Sequence, residues 1–121
     1  MPKDKWSFGV GTTSRVPNSG GLHYLIIDID GEEWPVHLAD ILARAERIII
    51  QETPHGWHFY TNWKMPFRTL VSLLKFAGAD PAWIEIGERR GYYFLADKDM
   101  VHFSWPVEHM AIYYEKKTQN T

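Results

Sequence analysis

The chain has 121 residues, a formal net charge of −2 and a hydrophobic share of 45%. Such a chain builds one domain with a real core, here residues 1–121. Its near-neutral balance excludes a strongly basic nucleic-acid coat protein, but not an enzyme that reaches nucleic acid through metal ions. Cysteine is absent, so disulfides and cysteine-based zinc sites are excluded. No run approaches the roughly 20 apolar residues of a membrane span. The first residues, Met1 to Trp6, carry no apolar signal core, and a cytoplasmic protein is expected. Six Trp, six Tyr and six Phe are too many for a core this small, so some aromatics must reach the surface.

In chain order, residues 5–16 alternate loosely and suit a strand. Pro17-Asn18-Ser19-Gly20-Gly21 is a loop. Residues 22–29 are continuous in apolar character, which predicts a central strand, closed by a turn at Asp30-Gly31. Apolar residues at 38, 41, 42 and 45 give helical spacing over 36–46, with Pro35 suited to the first turn. Residues 47–53 and 57–61 read as a hairpin about Pro54-His55-Gly56. A second helix is predicted over 66–77, stopped by Gly78. Residues 81–87, P-A-W-I-E-I-G, read as a strand, followed by a turn and a strand over 92–96. The tail is ambiguous between strand and helix.

The order strand-helix-strand-strand-helix-strand predicts an α+β fold of the split βαβ, ferredoxin-like or RRM-like type. Right-handed crossovers then place the first strand in the middle of the sheet, beside the third and fourth.

Strand alternation puts Asp28 and Asp30 on one face, with Ile27 and Ile29 on the other. Like charges roughly 7 Å apart repel, and a divalent cation resolves the repulsion. Taken alone, D-x-D-G is more often a turn than a site. On the flanking strands, His58 shares a face with Tyr60, and Glu85 shares one with Trp83. If Trp57, Phe59, Ile84 and Ile86 face the helices, the expected topology brings Asp28, Asp30, His58 and Glu85 together on the open face. Three acids and a histidine suit phosphoryl transfer, the acids holding one or two metal ions and His58 contacting a phosphate. Arg89, Arg90, Lys64 and Arg68 lie in or after the turns of those strands, where solvated charge and phosphate contact are both open readings.

These residues resemble the archaeo-eukaryotic primase superfamily, the primase-polymerases. I-I-D-I-D at 26–30 is similar to its first motif. E-T-P-H-G-W-H-F-Y-T at 52–61 is similar to its second, with Thr53 in the hydroxyl position and His58 in the histidine position. I-E-I-G-E-R-R-G-Y-Y-F at 84–94 is similar to its third, with Glu85 where the family usually has Asp and Asp97 as a further candidate acid. The resemblance covers about residues 22–97, as a minimal catalytic core. It implies Mg²⁺- or Mn²⁺-dependent nucleotidyl transfer from nucleoside triphosphates on a single-stranded DNA template. It implies metal ligation by Asp28, Asp30 and Glu85, and nucleotide contacts from Thr53, His58, Arg89 and Arg90. A replication protein or a second copy would be the protein partner.

Three other readings stay open. A rolling-circle nickase would use Tyr113 and Lys117 from Y-Y-E-K-K, but His55 and His58 lack the H-x-H spacing its metal pair requires. An RRM-like binding module would stack bases on Tyr60 and Trp83. An interaction domain would use its exposed aromatics as an oligomer interface.

Overall fold

The computed structural model describes residues 11–96 and the backbone of 113–115. The elements are β1 (Gly11–Thr13), β2 (Leu22–Asp30), α1 (Leu38–Leu42), β3 (Ile48–Thr53), β4 (Gly56–Pro66), α2 (Phe67–Ala77), α3 (Pro81–Arg90), β5 (Phe94–Ala96) and β6 (Tyr113–Glu115). The fold is α+β, with a four-stranded sheet ordered β2-β4-β3-β6 and a two-stranded ribbon of β1 and β5. No helix among the described residues is long and apolar enough to cross a membrane.

The expected hairpin is present. β3 and β4 pair antiparallel, from Ile48↔Thr61 to Thr53↔Gly56, around a turn at Pro54-His55. β4 also pairs antiparallel with β2, so it lies between two strands that run the same way and are joined through α1. Gly56 is required there, because a Cβ would collide with the Ile29 carbonyl. The tail contributes β6, which runs parallel to β3.

The second half departs from the split βαβ order. Residues 81–87 form a helix, not a strand. Pro81 occupies the first turn, and Gly91 closes α3 in the left-handed region at φ 85°. Ile84 and Gly87 are buried while Ile86 is 43% exposed, which is helical periodicity rather than the alternation of W-I-E-I. Among the described strands, β2 ends the order β2-β4-β3-β6 instead of lying in its middle, and on its outer side only its start is bridged, Arg15 to His23. The last short strand, β5, pairs with β1.

Three of the predicted elements are clearly shorter than expected: α1 covers only 38–42, β1 only 11–13 of the described part of 5–16, and β5 only 94–96. The second helix stands as predicted. Its Leu70, Leu74 and Ala77 are fully buried, and Gly78 ends it at φ 84°. Ile26, Ile27, Phe59 and Tyr60 form the fully buried centre of the sheet. Trp34 packs edge-on against Trp57 and Phe59 and covers the sheet on the Ile27 side.

Candidate functional site

β-pairing brings the first two predicted groups together. Asp28 and His58 are direct cross-strand partners, so their side chains leave the sheet on the same face. Asp28 Oδ1 and His58 Nε2 lie 3.5 Å apart, with side chains 25% and 16% exposed. The next residue of that face on β3 is Gln51, paired with His58 in the ladder. Tyr60, two residues along β4, donates its hydroxyl to Gln51 Oε1 at 3.2 Å and stands 3.5 Å from His58 Nδ1. The imidazole is thus flanked by a carboxylate on one nitrogen and a phenol on the other.

At the end of the sheet, Asp30 and Thr53 both pair with Gly56, so they share one row across three strands. Asp30 is exposed and Thr53 partly exposed.

A cleft of about 300 Å³ opens above the Asp28–His58 pair. Its opposite wall comes from α3 and β5. Trp83, Gly87 and Arg90 line it, four and three residues apart, as one helix face must be. Gly87 lets the wall close up, since a Cβ there would fall on the Tyr93 ring. Trp83 donates its indole N–H to Phe94 O at 2.9 Å, and Tyr93 donates its hydroxyl to Ile84 O at 3.0 Å. Burial pushes the Tyr93 phenol up to about 12, with the Glu88 charge adding to it, so that hydroxyl stays a donor. One main-chain bond, Asp80 N–H to Asp28 O at 2.9 Å, ties the start of the helical wall to the floor.

The remaining predicted residues divide sharply. Glu85 is not beside Asp28 and Asp30. The helical period turns it away from the cleft, where its 68% exposed carboxylate meets Arg89 at 3.5 Å. The structure thus sets Glu85 apart from Asp28 and Asp30, and Arg89 against Glu85. Among the described residues, no three acidic or histidine side chains stand close enough to hold one metal. Asp97 and Lys117 lie outside the described residues. Lys64 and Arg68 are exposed, on β4 and α2. His55 is exposed in the hairpin turn, and Tyr113 falls on β6.

Sequence reasoning missed Gln51, Tyr92 and Arg15. Gln51 was one register step away, because a three-residue turn at 54–56 sets it opposite Phe59, and only the observed two-residue turn sets it opposite His58. Tyr92 and Arg15 had no signal, because they meet only once β1 pairs with β5.

No protein family, no curated protein and no solved structure matches this chain.

Proposed function

We propose that the cleft handles phosphates of nucleotides and transfers a nucleotidyl group in the manner of a primase-polymerase, within the cytoplasm. The observation that carries this reading is the Asp28–His58 pair, 3.5 Å apart on the floor of a cleft whose facing wall carries Arg90. Magnesium is usually held by one or two carboxylates together with substrate phosphates. Asp28 and Asp30, on one face of β2, fit that pattern without a third protein acid. The cation, Mg²⁺ or Mn²⁺, would neutralise charge developing on the transferred phosphoryl group. His58 donates Nε2–H to a phosphate oxygen when that nitrogen carries the proton, and Tyr60 and Gln51 hold its ring in place. Thr53 stands in the same row as Asp30 and offers a hydroxyl to the same ligand. Arg90 supplies a guanidinium from across the cleft. Glu85 and Arg89 have no part in this scheme. A single-stranded DNA template and a replication partner belong to the same proposal.

Primer extension tests it, with Mn²⁺ or Mg²⁺ and labelled nucleoside triphosphate. Wild type is expected to extend, and the Asp28→Ala, Asp30→Ala double variant is not. Full activity in the double variant, or no metal-dependent nucleotide binding by wild type, sinks the reading.

One observation favours a second reading. The outward turn of Glu85 leaves the cleft poorer in acids than a catalytic centre usually is, which suits a binding module without chemistry. Nucleic-acid binding that is indifferent to EDTA would select it.

A further inference from the structure

Ribbon register decides which side chains meet at the mouth of the cleft. β1 and β5 pair as Gly11↔Ala96, Thr12↔Leu95 and Thr13↔Phe94. Two bonds tie the chain just past the strand ends: Ser14 N–H donates to Tyr93 O at 2.9 Å, and Tyr93 N–H donates to the Ser14 side-chain Oγ at 3.0 Å. Beyond Ser14 the chain turns to β2, where Arg15 bridges antiparallel to His23, and the exposed Arg15 side chain reaches back over Tyr92. The contact follows, with the Arg15 guanidinium carbon 4.2 Å from the centre of the Tyr92 ring. Arg90 reaches the same ring from the last turn of α3, at 5.8 Å.

Among the described residues, neither Arg15 nor Arg90 has a carboxylate at ion-pair distance, whereas Arg89 is occupied by Glu85. Guanidiniums resting on an aromatic ring are held in orientation while their N–H edges stay available. Oxyanions are what such edges bind best. Arg90 and Tyr92 line the cleft, and Arg15 meets the same Tyr92 ring. The site therefore has a polarity, with a carboxylate at its floor and two cations at its rim.

We infer that Arg15 and Arg90 bind successive phosphate groups of a ligand that leaves the cleft across Tyr92. The shared chemistry is a chain of phosphate oxyanions, supplied by a nucleotide's polyphosphate tail or by the backbone of a single strand. The inference rests on the reading of the cleft as a phosphate site.

Calorimetric titration of the full chain tests it, using inorganic tripolyphosphate and, separately, an oligothymidylate. EDTA is present throughout, so no cation at Asp28 takes part. Arg15→Ala is expected to weaken binding roughly tenfold or more, the loss of one charge-assisted contact. Arg15→Lys restores only part, because a point charge replaces a planar fork. Arg44→Ala, which removes the same charge from an exposed position outside the cleft, leaves affinity unchanged. In wild type, the Arg15 side-chain Nε–Hε resonance shifts on titration, a readout that needs no variant. Dependence on Arg15 with tripolyphosphate assigns the track to a nucleotide tail; dependence with the oligonucleotide alone assigns it to a strand. Equal affinity of wild type and Arg15→Ala for both probes overturns the inference, as does failure of wild type to bind either. A chain inert in primer extension yet dependent on Arg15 here keeps this inference and loses the catalytic one. An active chain indifferent to Arg15 does the reverse.

Discussion

The floor and the wall of the cleft were built by different rules, and the two carboxylates Asp28 and Glu85 show the consequence. On the floor, antiparallel pairing fixes Asp28 against His58, because direct cross-strand partners share a face. On the wall, the helical period sends Trp83, Gly87 and Arg90 inward and Glu85 and Arg89 outward. Two residues of separation mean the same face in a strand and nearly opposite faces in a helix. A carboxylate set apolar-acid-apolar therefore faces the cleft in one context and solvent in the other.

The sharpest way to break that contrast is to neutralise each acid in turn. Under the proposed function, Asp28→Asn should lower metal-dependent nucleotidyl transfer about a hundredfold or more, the scale of a lost charge-stabilising contact. Glu85→Gln should leave the rate unchanged. Equal losses in steady-state kinetics would return Glu85 to the site.

A smaller effect tests how the wall closes. Gly87→Ala puts a methyl group into the Tyr93 ring, and α3 must shift to accept it. Overpacking of this kind costs about 1–3 kcal/mol, measurable by urea unfolding. Unchanged stability would mean that the helix rides loosely on β5.

His23 sharpens the comparison at the ribbon, where it accepts or donates to Ser14 Oγ across 2.7 Å. Burial first, and the Arg15 charge second, hold its imidazole below the usual 6.5. The unfolded chain then takes up a proton at a pH where the folded chain does not, so stability falls as pH drops below 6.5, down to the lowered folded value. Melting temperature should decline over that window in wild type, and less steeply in Arg15→Ala. An identical slope in the two proteins would remove Arg15 from the neighbourhood of His23.

The smallest effect belongs to the outer face of the wall. Glu85 and Arg89 form an exposed pair four residues apart on a helix, and breaking it should change stability by no more than about 0.5 kcal/mol. A larger change in thermal unfolding would show that the pair anchors α3.

Most of the floor could be read from residues alone. The hairpin and the second helix follow from local period and turn residues, and the meeting of Asp28 with His58 from the expected topology that sets the first strand beside residues 57–61. The wall was misread, although its signals were present. Asp80-Pro81 is a helix start and Arg89-Arg90-Gly91 a helix stop. W-I-E-I also alternates, and over so short a stretch the two periods compete. The expectation that β2 lies in the middle of the sheet followed from the same error, since its second neighbour was to be that strand. Arg15 and Tyr92 were out of reach for another reason: their contact needs a pairing between segments almost eighty residues apart, which no local period encodes.

The single main-chain bond from Asp80 N–H to Asp28 O makes this amide a natural clock for the cleft. Its proton can exchange with solvent only when the start of α3 lifts from β2, so its exchange rate counts openings between the two walls. A ligand that touches only the carboxylate floor leaves that rate alone. One that spans from Asp28 to Arg90 must slow it, by the factor with which it prefers the closed form.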